Sequence, residues 1–270
     1  LVVTHRNKEF SFKTENIDAK EIKALAFYAD CVHEVEKVQQ GYRVALTYNL
    51  VLEVNEAART ISFANSALIK ALKDFFVLDE EIDEGCLPLV YFLDHEYTEH
   101  SLHWSLLKGN DAKNGADFLY AAEELGLKAR LALVEHHESW SAYGDERNPL
   151  PKELIDDDTE LTFWVDEKSH KLPYSSLDIS TDEACWSIDT EDFEPYESEY
   201  EGFMGNYGET VDYWYRRAAI VLWPNSDDIV MEFKLNNKEA IRNLVKMTKE
   251  PGKEQQIRKT INRVGKHFYS

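Results

Sequence analysis

The stretch from Ala26 to Leu52, AFYADCVHEVEKVQQGYRVALTYNLVL, decides how the chain is read. Leu25 to Val35 alternates apolar and polar residues as a strand does, and Tyr42 to Val54 is a longer run rich in β-formers. Gln39-Gln40-Gly41 supplies a turn between them. The spacing therefore predicts a β-hairpin with His33 on its first strand and Arg43 on its second, both facing one barrel interior. By residue type alone, a strand histidine is ordinarily a packed or surface group, and a strand arginine ordinarily belongs to a surface ion pair. The functional reading is a metal ligand beside an anchor for a dicarboxylate.

The wording of the hairpin sharpens that choice. Phe27-Tyr28-Ala29-Asp30-Cys31-Val32-His33-Glu34-Val35, followed by Gly41-Tyr42-Arg43-Val44-Ala45-Leu46-Thr47-Tyr48-Asn49-Leu50, resembles the prolyl 4-hydroxylase-like branch of the Fe(II)/2-oxoglutarate-dependent dioxygenases. The family pattern is close to F-Y-x-D-x-x-H-E-V, a turn, then G-x-R-x-x-L-T-Y-N-L. By that resemblance His33 matches the distal histidine of the iron site, and Arg43 matches the residue that pairs with the far carboxylate of 2-oxoglutarate. The residue types suit those roles. Non-haem Fe(II) in such oxygenases takes two histidines and one carboxylate. A guanidinium holds a carboxylate through two parallel charge-assisted hydrogen bonds.

The resemblance implies an oxygenase in which 2-oxoglutarate is decarboxylated to succinate while a C–H bond, prolyl or on another protein side chain, is hydroxylated. Fe(II) and 2-oxoglutarate are the implied cofactors, with L-ascorbate as an accessory reductant. The implied partner is a protein or small-molecule substrate. The implied fold is α+β: residues 1–60 form the distal half of a double-stranded β-helix, or jelly-roll. An α/β region over 61–148 packs on it, and an acidic α/β region with a helical tail follows over 149–270.

One half of the family's iron site is not found where it is expected. Its His-x-Asp or His-x-Glu pair precedes the distal histidine by several tens of residues, whereas Leu1-Val2-Val3-Thr4-His5 already reads as a strand under way. His5 has Asn7, not a carboxylate, two residues on. The resemblance thus implies an N-terminally truncated form, and a non-catalytic interaction module derived from an oxygenase is the other reading. His136-His137-Glu138 is the one His-x-Glu triplet in the sequence, and it follows His33.

Composition bounds the rest. At 270 residues, 43% hydrophobic and 12% aromatic, the chain is long and apolar enough to build a sizeable core. With 51 acidic against 30 basic residues the net charge is −21, which disfavours nucleic acid as a partner. Cys31, Cys86 and Cys185 are odd in number and widely spaced, so neither a disulfide framework nor a zinc cluster is indicated, and a reducing, intracellular setting is expected. No window is apolar enough for a membrane helix.

Further along, helical spacing predicts a helix within 62–83 and another over 114–125 stopped by Gly126, while Leu87 to Leu93 reads as a short strand. His95, His100 and His103 share no common face and read as a hydrogen-bonded loop. Leu127 to Val134 reads as a strand entering a His136-His137-Glu138 loop. Asn148-Pro149-Leu150-Pro151 reads as a boundary and Asp156-Asp157-Asp158 as a solvated turn. Thr210 to Pro224 reads as a buried strand, with Arg216 and Arg217 pairing nearby carboxylates. Asn237 to Ser270 reads as two helices divided at Pro251-Gly252.

Overall fold

The computed structural model describes residues 1–5, 8–13, 21–40, 42–50, 65–81, 88–145, 148–180, 195–203 and 208–269. They fall into two compact units, one from the first 54 residues and the other from residue 55 onward. The fold is mixed α/β with antiparallel sheets in both units. No helix among the described residues is long and apolar enough to cross a membrane.

The first unit is a three-stranded sheet: β1 (Val2–His5) lies between β2 (Lys8–Ser11) and β3 (Val32–Glu34). Val3 and Cys31 are its buried apolar side chains among the described residues. The expected Leu25–Val35/Tyr42–Val54 hairpin is not formed. Only Val32–Glu34 of its first half is strand, and β3 pairs with β1 through Val3↔His33. Residues 42–50 have no regular structure, and Tyr42, Val44, Leu46, Tyr48 and Leu50 are all more than three-quarters exposed. The alternation is present, but a strand forms only where a partner supplies the ladder. Residues 51–54, the loop expected over Lys13–Lys20 for all but Lys13, and the turn residue Gly41 lie outside the described residues.

The second unit is built on a six-stranded sheet whose main path runs β4 (Leu89–Phe92), β9 (Thr210–Pro224), β5 (Leu127–Asp145), β6 (Asn148–Val165), β7 (Leu177–Ile179). β8 (Glu197–Glu201) also pairs with β9, at the end away from β4. The sequence of β9 explains its central position. Ala218 to Trp223 is an unbroken apolar run, and all six residues are fully buried, as a strand covered on both faces requires.

One face of the sheet buries Leu131, Ala218, Ile220 and Leu222 under α1 (Ser66–Glu81) and α2 (Gly109–Leu125) through Leu72, Phe76, Phe118 and Ala122. The other buries Ala132, Val134, Val221 and Trp223 under α3 (Asp228–Leu235) through Val230, Met231 and Leu235. Two further helices follow, α4 (Asn237–Met247) and α5 (Glu254–Tyr269), with Pro251-Gly252 between them. α2 begins five residues earlier than its apolar spacing suggests, because Asp111 anchors its first turn. It stops at Gly126, where φ is 66°, a left-handed cap that glycine adopts without a Cβ penalty.

Three expectations for this unit are corrected. β5 does not end at Val134 but continues to Asp145, so the His136-His137-Glu138 triplet lies inside a strand rather than in a loop. Asn148–Pro151 is no break either, since β5 and β6 pair across it in one long hairpin and the aspartates of 156–158 lie in β6. β7 pairs only with Thr159–Leu161, which leaves the Pro149–Pro151 stretch on a sheet edge where proline costs no ladder bond. Phe163, at φ 39°, is the extra residue of a bulge between the Ala132–Trp164 and Leu133–Thr162 pairs.

The turn after β6 is organised by Asp166. Its Oδ1 accepts from the backbone of Lys168 at 2.9 Å and of His170 at 2.7 Å. Partial burial raises its carboxyl, but those two bonds and the His170 ring outweigh this and hold it below its ordinary 3.8. A depressed folded value contributes stability above pH 3.8 that is lost as pH falls through the lower, folded value. Asp166→Asn is therefore expected to lower the melting temperature at pH 7 and to converge on wild type as pH falls through the lower, folded value. Equal destabilisation at both pH values would contradict this role.

Candidate functional site

The first unit carries the two residues singled out by the hairpin pattern. His33 stands on β3 with an exposed ring. Its Nδ1 lies 3.3 Å from the Cys31 carbonyl oxygen, and its ring is 5.0 Å from that of Phe27. A carbonyl only accepts, so Nδ1 is the donor in this bond, and in the neutral ring Nε2 carries the lone pair. That is the tautomer in which a histidine binds metal through Nε2. Arg43 lies in the irregular 42–50 run, exposed, and is not brought into the sheet with His33.

The sheet supplies a pairing that the sequence did not suggest. Ligand atoms of His5 and Asp30 lie within 4.8 Å of each other. Asp30 sits in the turn closed by the Cys31 N to Tyr28 O bond of 3.0 Å, just before β3. Antiparallel pairing of β1 with β3 brings it to His5, whereas a search for a carboxylate at the second residue after His5 finds only Asn7. Because Val3 faces His33 in register and His5 is two residues further along β1, both histidines stand on the same face of this sheet. His5, Asp30 and His33 are of the residue types that Fe(II) takes in oxygenases, while the close approach of ligand atoms holds for His5 and Asp30.

In the second unit, His136 and Glu138 lie on the face covered elsewhere by α3, both buried. His136 Nδ1 is 2.8 Å from Thr159 Oγ1, and Nε2 is 3.3 Å from Glu138 Oε1. Trp140 Nε1 donates to Glu138 Oε2 at 2.9 Å. Both ring nitrogens and both carboxylate oxygens are thus committed, and the network joins β5 to β6 without offering ligand atoms. Tyr213 lies near it, and burial and then the Glu138 charge raise its phenol above 10.0. On the opposite face, His137 lies between Asp158 and Asp212, each 3.0 Å from a ring nitrogen, and stacks on Trp214 at 4.9 Å.

His103 Nδ1 accepts from the Ser105 backbone at 3.2 Å and caps a short 3-10 turn, His95 is buried, and His100 is exposed. Arg217 is buried and donates to Glu96 at 3.4 Å, while Arg216 lies over the Tyr196 ring at 3.9 Å. Cys31 is a buried free thiol, and Cys86 and Cys185 lie outside the described residues. Comparison of the chain with protein-family models, curated proteins and solved structures finds no match.

Proposed function

We propose that the first 54 residues are the iron-binding part of an Fe(II)- and 2-oxoglutarate-dependent oxygenase with a jelly-roll ancestry. The observation that carries this is the F-Y-x-D-x-x-H-E-V and G-x-R-x-x-L-T-Y-N-L pair, with His33 holding its Nδ1 on a backbone carbonyl. In this reading His33 Nε2 is a metal ligand, and His5 on β1 with Asp30 in the turn before β3 is a second, close donor pair of the same unit. Arg43 pairs with the far carboxylate of 2-oxoglutarate. Bound Fe(II) with 2-oxoglutarate supplies the activation of O₂ that C–H hydroxylation needs. The substrate class is a prolyl or other protein side chain, or a small molecule.

A ligand that binds only the folded state raises its melting temperature by mass action. Mn²⁺ with 2-oxoglutarate is therefore expected to stabilise the chain at ligand concentrations well above Kd. At about a hundred times Kd the gain is about 2.7 kcal/mol. His33→Ala is expected to abolish the shift, and Arg43→Ala to remove the contribution of 2-oxoglutarate while keeping that of Mn²⁺. A flat response of the wild type would reject this reading. It would select the alternative, a non-catalytic interaction module, which the exposed apolar side chains at alternate positions from Tyr42 to Leu50 favour.

A further inference from the structure

From Asn237 onward the chain carries nine Lys and Arg against three Glu, although the protein as a whole is at −21. The contrast becomes a surface on α4. Ala240 is fully buried and marks the side of α4 turned to the protein. Lys238, Arg242 and Lys246 are exposed on the other side, at helical spacings of four residues, and Lys249 is exposed just past the end of the helix. Ile241 and Val245, 52% and 50% exposed, form an apolar border beside this stripe. Glu239 answers part of the charge, bonding Arg242 at 3.1 Å.

The matching surface lies on the other side of the same sheet. α3 covers the face that carries Val134 and Val221, whereas His137 and Trp214 belong to the face that α1 and α2 cover near β4. Beyond those helices, cross-strand register gathers carboxylates from four strands. Glu197 and Asp158 flank Trp214 and His137 in one row, Glu199 and Asp156 occupy the next, and Glu135 with Asp178 lies on the opposite side of that row. All six acidic residues are exposed. Arg216 is the basic residue of this face in register with Glu135.

We propose that the basic, apolar-bordered side of α4 docks on the acidic sheet face of a second copy of the chain. The occupant follows from charge complementarity and from the layer order. Within one copy the sheet stands between the two surfaces, so the match is made only between copies. The surfaces differ, so the contact is head-to-tail and continues into a ring or an open chain.

Salt dependence has a distinctive form. Copies at −21 repel at long range, while stripe and face attract at short range. The screening length is about 10 Å at 0.1 M salt and about 3 Å at 1 M. Association is therefore expected to peak near about 0.1 M and to vanish toward about 1 M.

Sedimentation velocity of the full chain across protein and salt concentration tests this. The expected result is a sedimentation coefficient that rises with concentration near the salt optimum. Lys238→Glu/Arg242→Glu/Lys246→Glu and Glu135→Lys/Asp156→Lys/Glu197→Lys are each expected to be monomeric, and an equimolar mixture of the two to associate. Should either triple variant lose its cooperative thermal transition, Lys238→Gln/Lys246→Gln provides the comparison, with association weakened but not abolished. A wild-type chain that stays monomeric at every salt concentration, or a charge-reversed α4 that associates like wild type, overturns the proposal. So does a monomeric chain that co-sediments with phosphatidylserine vesicles through these lysines, which would assign the α4 face to an anionic lipid surface.

Discussion

Replacing Trp164 by alanine is expected to lower the melting temperature of the second unit by roughly 10 °C. Trp164 is fully buried between the sheet and α3, and its indole N–H donates to the Ser175 carbonyl at 3.1 Å. Truncating a buried tryptophan removes apolar contacts, leaves a cavity and strands a polar partner, a combined cost of about 3–5 kcal/mol. In a unit of this size each kcal/mol shifts the midpoint by about 2–4 °C. Trp164→Phe keeps most of the volume but loses the hydrogen bond and part of the packing, so its cost is expected at about 1–3 kcal/mol, below that of alanine. Thermal unfolding followed by circular dichroism checks both, and a Trp164→Ala shift below about 3 °C would mean that this core layer collapses around the gap.

Asp111→Ala is expected to destabilise the same unit by about 3 kcal/mol, although it removes a buried charge. Asp111 Oδ1 accepts from the Asp94 backbone at 2.8 Å, and Oδ2 accepts from the His95 backbone at 2.9 Å and the Tyr97 hydroxyl at 2.9 Å. Alanine leaves these donors without their acceptor, at about 1–3 kcal/mol for each group that stays buried and unmet. The gain is relief of desolvation, which pushes this carboxyl above its ordinary 3.8 in spite of the three bonds. A raised folded value means that ionisation of Asp111 itself opposes folding, so its contribution is most favourable below pH 3.8 and declines as pH rises. The difference between wild type and Asp111→Ala is accordingly expected to widen on acidification toward pH 4, as far as the protein stays folded. Urea titrations at two pH values measure it, and a stabilised alanine variant would show that the desolvation cost outweighs the three bonds.

Apolar periodicity made some elements of this fold readable and left others hidden. β9 announces itself because Ala218 to Trp223 can only be a covered strand, and the end of α2 because Gly126 follows its last apolar residue. β5 was half hidden. Its apolar run stops at Val134, and the polar residues beyond it resemble a loop until their partners across the sheet are known. Thr159 for His136 and Asp158 for His137 come from β6, which sequence distance does not reveal. The same limit applies to the candidate iron site. His33 and Arg43 could be picked out from their local wording, but the partner of β3 could not, and the pairing with β1 is what brings Asp30 to His5.

The central position of β9 also sets a timetable for synthesis. Leu89 of β4 pairs with Leu222, and Ala129 of β5 pairs with the same residue. At about 5–20 residues per second, a ribosome needs roughly 7–27 s after β4 emerges to produce that partner. Until then the edges of β4 and β5 that β9 comes to cover have no native neighbour. The nascent chain is therefore expected to depend on chaperone shielding in the cell, and to aggregate when translation stalls between β6 and β9.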